Sequence, residues 1–490
     1  MPGPSMTSAA PPSVARPFAV LATVLPAAFM QVVDVSIVNV AIPSIQHQLG
    51  ASYAEVQLVL ACYQLAYACV LITAARLGDI HGRKRLFLLG MAGFTVASIL
   101  CGAAPSPGFL IAARTLQGVA SGLMMPQVLA VIQVTFPPAE RGKAFGWYGV
   151  TMGLASITGP LLGGVLIAAS PFDLDWRAVF YVNVPVGLAA MVAAARVLPE
   201  SRAPAARALD LPGAALITLG LFLLMVPLTE GHARGFPPGM IAMLVGAVLV
   251  LGAFWALQER KTALDRSPLL HTGLFRDRAF RRGLTLAALL SFGIPSFFFV
   301  IAQYLQNGHG FTPLEAGLTT FPFAVAFGVA SLSTDRLVKR FGLFSAQIGY
   351  LLLGGGILGM RAAVVSLGAD VTSWHLLAFF FVSGLGFGLV YAPLTNAILE
   401  RVEVRDVGAA SGVLTTGQLV GGALGVAIVG SLYEARLPAA AIAAPPDHPA
   451  REVGFAAAMG DTLYFQVAVF GFCFLLFFAL RHARARRPAE

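Results

Sequence analysis

Fourteen apolar segments follow one another along almost the whole chain, and each is long enough to cross a lipid bilayer. A helix needs about 20 apolar residues to cross the hydrocarbon core, where every backbone polar group must be satisfied inside the protein. The sequence therefore predicts an all-α polytopic membrane protein with 14 transmembrane helices. The predicted spans cover residues 18–42, 54–77, 86–104, 109–135, 144–169, 179–197, 211–229, 238–257, 283–305, 314–334, 346–368, 374–399, 408–433 and 459–480.

The composition excludes several other classes of protein. Hydrophobic residues make up 57 % of the chain and charged residues 11 %, with a mean hydropathy of +0.80, whereas soluble domains carry about 25 % charged residues. A soluble enzyme, a disordered protein and a fibrous protein are therefore excluded. The net charge of +9 does not indicate a nucleic-acid partner, because the cations separate apolar segments instead of forming one basic surface.

The sequence predicts neither a metal site nor a cofactor. The four cysteines lie inside apolar segments without metal-ligand spacing, and the eight histidines form no cluster. No Gly-x-x-x-x-Gly-Lys-Ser/Thr phosphate-binding loop occurs. We therefore do not expect ATP-driven pumping by this chain alone.

The distribution of cations predicts the orientation of the spans. An even number of spans places both termini on one side of the membrane. On that side, at the termini, in the loops after even-numbered spans and at the adjoining helix ends, lie 26 of the 32 Lys and Arg residues. By the positive-inside rule this side is cytoplasmic. The first apolar segment is too long for a signal-peptide core and follows no basic region, so we expect a retained span in the plasma (inner) membrane.

An internal repeat predicts how the spans are grouped. Six glycine pairs share one spacing of 266 residues, against roughly two expected by chance; they are Gly118/Gly384, Gly122/Gly388, Gly142/Gly408, Gly146/Gly412, Gly159/Gly425 and Gly164/Gly430. A duplication with parallel topology accounts for them, although shared small-residue packing is the other explanation. The predicted parts are a cytoplasmic N-terminal tail 1–17, a six-helix half 18–197, an inserted two-helix hairpin 211–257, a basic cytoplasmic linker 258–282, a second six-helix half 283–480 and a cytoplasmic tail 481–490.

Two ionisable residues lie well inside predicted spans. Asp34 in span one and Arg114 in span four are both predicted about 8–12 Å below the outer surface. Burial favours the protonated form of a carboxylate and a neighbouring guanidinium favours the ionised form, so Asp34 could be poised to exchange a proton. The alternative is a static ion pair that only fixes two helices. Since the corresponding segment 290–300 of the second half has no acid, any coupling chemistry is confined to the first half.

The short connection between spans two and three carries a second candidate site. Asp79 can interact with Arg83, four residues later, and with a helix N-terminus, and Gly82 lies between them. Such a cluster can lock one cytoplasmic arrangement of the halves. Asp335 and Lys339 repeat the spacing in the second half. The alternative is a topology signal made by three consecutive cations.

Span five contains a stripe of small residues at helical spacing. Its members are Gly149, Gly153, Gly159, Pro160, Gly163 and Gly164. This pattern predicts close helix packing with a proline bend.

Together these motifs resemble the major facilitator superfamily, and within it the fourteen-span drug/proton antiporters, the group of EmrB-like and QacA-like multidrug exporters. The matching segments are Val33-Asp34-Val-Ser36-Ile-Val-Asn39-Val-Ala-Ile-Pro43, Arg76-Leu-Gly-Asp79-Ile-His-Gly82-Arg83-Lys84-Arg85, Ala113-Arg114-x-x-Gln117-Gly118, Gly153 to Gly164, Asp175-Trp-Arg177 and Asn183-Val-Pro185. Ser36 stands where Thr is usual, and Ala75 where Gly is usual. Leu198-Pro-Glu200-Ser-Arg202 resembles a sugar-carrier motif, but the other signatures of those carriers are missing.

The resemblance implies a membrane transporter of the major-facilitator fold, without enzymatic activity, driven by the proton gradient. A proton from outside would neutralise Asp34, with Arg114 tuning its pKa, and alternating access of the two halves would move substrate outward. Asp79, Gly82 and Arg83 would form the conformational gate. Gly153, Gly159, Pro160, Gly163 and Gly164 would belong to the antiporter motif.

Three functions remain open at this point. The favoured one is a drug/proton antiporter that exports amphipathic small molecules, with protons and membrane lipids as its other partners. The second is a dedicated exporter of one endogenous metabolite or self-made antibiotic on the same scaffold. The third is a non-transporting membrane sensor or scaffold, which would be expected to carry a sizeable soluble domain. The sequence identifies neither the substrate nor an accessory periplasmic partner.

The charges inside the spans predict the charge of the substrate. Asp34 is the only acid well inside any predicted span, while Glu230, Asp335, Glu434 and Asp461 lie at span ends. The second half offers aromatic residues suited to planar apolar molecules or a single cation; they include Phe292, Phe297, Phe298, Phe299, Phe321, Phe323 and Phe327. Because burying an unmatched charge costs several kcal/mol, we expect neutral or monocationic amphipathic substrates and poor transport of dications.

Overall fold

A computed structural model describes residues 16–202, 209–264, 268–342, 344–400, 402–403, 406–445 and 448–485. The predicted N-terminal tail up to residue 15 and the predicted C-terminal tail from residue 486 lie outside the described residues. The side chain of Asp335, the expected counterpart of Asp79, also lies outside them.

The prediction of an all-α membrane protein is confirmed. The described residues form fourteen helices that are long and apolar enough to cross a bilayer. They are α1 (Pro17–Leu49), α2 (Tyr53–His81), α3 (Arg83–Gly102), α4 (Pro107–Thr135), α5 (Pro138–Ala169), α6 (Asn183–Val197), α7 (Leu211–Arg234), α8 (Pro238–Ala263), α9 (Arg278–Ala302), α10 (Pro313–Phe341), α11 (Phe344–Leu367), α12 (Ser373–Leu399), α13 (Val407–Arg436) and α14 (Pro449–Ala485). The sixth span runs over Asp175–Val197, because short helical turns lead directly into α6. The chain is a multi-pass membrane protein.

Several helices extend beyond the apolar segments that predict them. Helix α14 begins ten residues before the predicted span, and α10 runs seven residues beyond its predicted end. Hydropathy marks the part of a helix in the hydrocarbon core, whereas the polar end turns lie in the interfacial region and keep the helical conformation. The connection between α2 and α3 shrinks to one residue, Gly82, whose φ of +113° is accessible to glycine.

The local sequence explains where α2 and α10, which correspond in the two halves, begin. Ser52 and Glu55 form a capping box at the start of α2, and Thr312 and Glu315 form the same box at the start of α10. Each box satisfies two backbone N–H groups that the first turn leaves without helical partners. The two helices lie eight apart in the chain order, so the internal repeat extends to their caps.

Helix packing follows the same repeat. In the first half α2 packs on α4, α1 on α5, α3 on α4 and α3 on α6; in the second half α10 packs on α12, α9 on α13, α11 on α12 and α11 on α14. Each contact of the first half recurs eight helices later. Two similar six-helix halves therefore enclose the centre of the molecule.

The glycine pairs at the 266-residue spacing occupy equivalent contacts. A Cβ at Gly122 of α4 would lie 3.1 Å from the carbonyl oxygen of Tyr67 on α2, and one at Gly388 of α12 would lie 2.6 Å from that of Phe327 on α10. Backbone oxygens cannot move away as a flexible side chain can. Glycine therefore permits the same close approach in each half, which favours duplication over unrelated small-residue packing.

The two halves meet on the side that carries the connections after α2, α4, α6, α8, α10 and α12, which we call the basic face. There α2 packs on α13 and α5 on α10. The contacts include Gly146 against the Ser331 backbone, Gly412 against Ala75, and Gln133 Nε2 donating to the Leu399 carbonyl oxygen at 2.6 Å. The basic face is therefore closed, whereas the other halves of α5 and α10 line a cavity toward the opposite face.

The hairpin α7–α8 covers the seam between the halves. Ile217 and Leu221 of α7 pack in one apolar cluster with Cys69 of α2 and Val413 of α13. Thr218 Oγ1 also donates to the Cys69 carbonyl oxygen at 3.2 Å. Helix α7 therefore touches both halves at once.

A buried carboxylate ties the base of the hairpin to the linker that follows it. Asp210 accepts hydrogen bonds from Lys261 Nζ at 2.5 Å, Gln258 Nε2 at 2.8 Å and the Gly213 backbone N–H at 2.8 Å. Burial by itself would raise the pKa of Asp210, but these hydrogen bonds outweigh it and lower the pKa. Gln258 in turn accepts from the Leu270 N–H at 3.1 Å, which anchors the linker.

Candidate functional site

The structure brings Asp34 and Arg114 into direct contact inside the first half. Arg114 Nη1 lies 2.5 Å from Asp34 Oδ2, and the two residues are 1 % and 0 % exposed, respectively. The other carboxylate oxygen, Oδ1, accepts hydrogen bonds from Gln117 Nε2 at 2.8 Å and from Asn183 Nδ2 at 3.1 Å. The carboxylate is therefore ion-paired and hydrogen-bonded, as a buried charge requires.

Further contacts hold Arg114 in place. Its Nη1 donates to Gln117 Oε1 at 2.6 Å and its Nε donates to the Val59 carbonyl oxygen at 3.3 Å. The guanidinium carbon lies 4.3 Å from the centre of the Tyr63 ring, a cation–π contact. Gln117 Nε2 also lies 2.9 Å from Ser98 Oγ. Helices α1, α2, α3 and α4 thus each supply part of the site, and the segment from Asn183 onward adds α6.

Sequence reasoning missed the roles of Gln117, Asn183 and Tyr63 at this site. Gln117 lies one helical turn after Arg114, so its side chain falls on the same face of α4. Asn183 stands in a motif that the resemblance highlights, but its proximity to Asp34 depends on how α6 docks. Tyr63 gives no sequence signal, since an aromatic residue in an apolar helix is usually packing.

Protonation of Asp34 would remove the partner of a buried guanidinium. Removing one partner of a buried ion pair costs about 3–5 kcal/mol when the other is left without compensation. The oxygens of Gln117 and Val59 offset part of that cost. A proton on Asp34 therefore favours a different arrangement of α1 and α4, which makes the pair suitable for coupling proton uptake to conformation.

Asp34 does not reach the cavities between the halves, because it has no exposed surface. The larger cavity, of about 810 Å³, is almost entirely apolar and lies between α1, α5, α9, α10 and α12. The smaller cavity, of about 540 Å³, has a more polar wall. Both are lined by Met152, Pro295 and Tyr391, so they meet at these residues.

The predicted aromatic residues divide between the larger cavity and the helix packing. Phe298, Phe321, Phe323 and Phe327 line the cavity, and Phe387 and Tyr391 of α12 join them. Phe297 instead is completely buried inside the second half, while Phe292 and Phe299 are partly buried against its core. The ring centres of Phe298 and Phe323 lie 5.0 Å apart, edge to face. The cavity wall can therefore contact the flat face or the edge of an aromatic molecule.

On the basic face, Asp79 lies at the junction between the halves. Arg83 Nη2 lies 2.8 Å from Asp79 Oδ1, and both side chains are buried. The carboxylate packs directly against Gly408 in the first turn of α13, where an added Cβ would collide with it. A helix N-terminus carries about half a positive charge, so the Asp79 carboxylate stabilises this contact between α2 and α13.

Glu200, in the segment that resembles a sugar-carrier motif, contacts the turn between α2 and α3 within the first half. Its carboxylate accepts from the Lys84 backbone N–H at 3.1 Å, in the first turn of α3, and lies 3.8 Å from Arg85 Nε. A Cβ at Gly82 would collide with Glu200. Gly82 therefore serves both the backbone turn and the approach of this carboxylate.

Known proteins share the sequence pattern and the fold of this chain. The profile of the Major Facilitator Superfamily matches residues 24–426. The chain belongs to this superfamily. The chain is also 38 % identical over 452 residues to a Streptomyces coelicolor protein named "Probable actinorhodin transporter", covering 92 % of this chain and 78 % of the relative.

Another relative and a solved structure agree with this placement in the major facilitator superfamily. The Mycobacterium tuberculosis protein named "Multidrug resistance protein Stp" is 31 % identical over 412 residues, covering 84 % of this chain and 75 % of the relative. The human organic anion transporter MFSD10 (TETRAN) superposes with a TM-score of 0.65 at 16 % identity, over 94 % of this chain and 99 % of that one. The solved structure shows the shared fold, and the two relatives are named for the transport of one compound and for multidrug resistance.

The glycines of the span-five motif on α5 contact helices of both halves. A Cβ at Gly153 would lie 2.7 Å from the Phe327 ring of α10, in the second half. A Cβ at Gly159 or Gly163 would instead meet α1, in the same half. Pro160 and Gly164 line the larger cavity. Helix α5 therefore contacts α10 near the basic face and separates from it toward the opposite face.

Glu230 lies in the last turn of the seventh span, as the sequence predicts, and the structure places it on the wall of the smaller cavity. Helix α7 continues to Arg234 and docks at the seam between α2 and α13, so its last turns face the centre of the molecule. Within the described part of the chain, no cluster of three or more His, Cys, Asp or Glu residues is arranged as a metal site.

Proposed function

We propose that this protein is a proton-driven antiporter that exports amphipathic small molecules across the plasma membrane, with its basic face in the cytoplasm. The buried Asp34–Arg114 pair carries the proposal, since ionisable groups at membrane depth are expensive and usually functional. Aromatic and apolar walls around a cavity of about 810 Å³ support an amphipathic substrate. The name of the Mycobacterium tuberculosis relative supports drug export.

The proton and the substrate use different residues in this mechanism. Asp34 is sealed by Arg114, Gln117 and Asn183, while the cavities lie between the halves. The two ligands therefore do not compete for one carboxylate. Coupling acts through conformation: protonation weakens the tie between α1 and α4, and the halves rearrange around the cavity.

With the closed basic face in the cytoplasm, this arrangement is the state that would open away from the cytoplasm. In this state substrate leaves toward the outside and a proton from the outside neutralises Asp34. The Asp79 contact with α13 and the glycine contacts of α5 with α10 must then break for the cytoplasmic side to open. Release of the proton to the cytoplasm and renewed substrate binding complete the cycle.

A dedicated exporter of one antibiotic or metabolite is the second candidate. The relative named as a probable actinorhodin transporter supports it, since that name refers to one compound. Deletion of the gene followed by mass spectrometry of the cells distinguishes the two. Retention of one endogenous compound supports the dedicated exporter, whereas retention of several unrelated added drugs supports the multidrug exporter.

The test of proton coupling uses sealed vesicles that contain the purified protein and an imposed pH gradient. Asp34→Asn keeps the size of the side chain but cannot ionise, so gradient-driven transport should fall to background while the protein still folds. Asp461→Asn is the matched control, because Asp461 is half exposed and pairs with the exposed Arg436 at 3.4 Å. Full transport by Asp34→Asn would refute the proposal.

A further inference from the structure

We infer that the inserted hairpin and the linker after it stabilise the closed basic face, and that His271 and Asp406 fasten them to the start of α13. We call α7, α8 and residues 268–277 of the linker the strap. The inference rests on the proposed function, because it concerns the opening of the basic face in the transport cycle. It assigns a positioning role to a part of the chain outside the two six-helix halves.

The first observation is an apolar cluster at the seam between the halves. Leu269 and Leu270 of the linker are 1 % and 3 % exposed. They belong to one cluster with residues of α2, α7, α8 and α13, among them Ile72 of α2 and Val413 of α13. Because α2 belongs to the first half and α13 to the second, separating these helices divides the cluster and costs its packing contacts.

The second observation is that the linker is held against the hairpin. Gln258 of α8 is completely buried. Its side chain accepts a hydrogen bond from the Leu270 N–H at 3.1 Å and donates one to Asp210 at 2.8 Å. The rings of Trp255 on α8 and Phe275 in the linker also meet edge to face, with centres 5.0 Å apart. The hairpin therefore fixes the position of the linker at the seam.

The third observation is a polar contact between the linker and α13. His271 Nδ1 lies 2.8 Å from Asp406 Oδ1, and the two side chains are 30 % and 8 % exposed, respectively. Asp406 is the residue that caps the N-terminus of α13. Two residues later, Gly408 packs against the carboxylate of Asp79. The strap is thus fastened beside the contact that closes the basic face.

The hairpin is tied to the first half by two reciprocal hydrogen bonds. Thr218 Oγ1 of α7 donates to the Cys69 carbonyl oxygen at 3.2 Å, and Cys69 Sγ of α2 donates to the Thr218 carbonyl oxygen at 3.6 Å. The strap therefore stays with α2 when the basic face opens, and its contact with Asp406 breaks. A contact that exists only in the closed state shifts the equilibrium toward that state.

The test measures how often the basic face is open in the purified full-length protein in lipid nanodiscs, without a pH gradient or added substrate. Spin labels on Glu140→Cys of α5 and Arg340→Cys of α10, both exposed on the basic face, report the distance between the halves by pulsed electron paramagnetic resonance. His271→Gln should raise the ratio of open to closed molecules by about threefold or more, the scale of one polar contact to a charged group.

A double-mutant cycle assigns this effect to the pair. In a background that already carries Asp406→Asn, His271→Gln should change the ratio by less than about 1.5-fold, because its partner charge is gone. Other neighbours of Asp406, which include Asp79, are the same in both members of each comparison. His47→Gln is the matched control, since His47 is exposed on the opposite face and should leave the ratio unchanged.

Leu270→Ala tests the apolar part of the strap separately. It removes buried carbon atoms from the seam and should raise the ratio of open to closed molecules by about tenfold or more. Leu264→Ala is the matched control, because Leu264 is 62 % exposed just before the linker and should leave the ratio unchanged.

The outcomes separate this inference from the proposed function. Lower thermal stability of His271→Gln and Leu270→Ala with unchanged distance distributions would show that the strap only supports the fold, and would overturn the inference. An equal effect of His271→Gln with and without Asp406→Asn would overturn the role of the pair. If the distances shift as expected but no pH gradient drives transport in vesicles, the strap stands and the proton antiport fails.

Discussion

Gly146 of α5 offers a direct test of how the basic face closes. A Cβ at this position would lie 2.7 Å from the carbonyl oxygen of Ser331 on α10, in the other half. Because the obstacle is backbone, Gly146→Ala must separate the two helices by several tenths of an ångström. Overpacking of this kind costs about 1–3 kcal/mol. The cost arises only when the basic face is closed, since the contact joins the two halves.

The substitution should therefore shift the population toward the state that is open on the basic face. A free-energy difference of about 1–3 kcal/mol corresponds to roughly 5–150-fold in the equilibrium constant. Distances between spin labels on the ends of α5 and α10, measured by pulsed electron paramagnetic resonance, report the two populations. Gly164→Ala is the control on the same helix, because a Cβ there meets no atom within 4 Å. Equal distance distributions for Gly146→Ala and the wild type would refute the reasoning.

Two other predictions concern the gate and the orientation. Asp79→Asn should slow transport with little change in equilibrium substrate affinity, because Asp79 stabilises the α2–α13 contact and lies outside both cavities; a large loss of affinity at an unchanged rate would reverse the assignment. For orientation, Glu140→Cys and Ala103→Cys place exposed thiols on the basic and the opposite face, in a background with Cys62 replaced by Ala. Impermeant maleimides should label only Ala103→Cys in intact cells, and the reverse pattern would contradict cytoplasmic termini.

Hydropathy predicted the helices, and glycine spacing indicated an internal repeat, because both depend on local chemistry. An apolar segment of sufficient length must be a helix in a bilayer. A glycine that meets a backbone oxygen, such as Gly122 against Tyr67 or Gly388 against Phe327, cannot be replaced without moving a helix. The same spacing in two halves was therefore visible in the sequence alone.

The sequence did not predict which aromatic side chains line a cavity and which pack inside one half. Phe297 and Phe298 are neighbours in an apolar helix, yet Phe297 is buried within its half and Phe298 lines the larger cavity. A transmembrane helix is apolar on the sides that face lipid and on those that face protein, so periodicity does not identify the cavity side. The position of Glu230 on a cavity wall was likewise not predictable, since its place at the end of a span does not show which helices α7 packs against.

The two halves have the same helix packing, but the residue of the second half that corresponds to Arg114 has different chemistry. The 266-residue spacing that relates α4 to α12 relates Arg114 to Phe380, and Phe380 is completely buried. Arg114 reaches Asp34 on α1, whereas Phe380 packs against Phe297 on α9, the corresponding helix, with ring centres 6.0 Å apart. An aromatic pair does not respond to protons, while a buried ion pair loses its charge balance when the acid is protonated. The two halves therefore share one scaffold, but of these two equivalent contacts only the Asp34–Arg114 pair would lose its charge balance on protonation, and the second half provides the aromatic wall of the larger cavity.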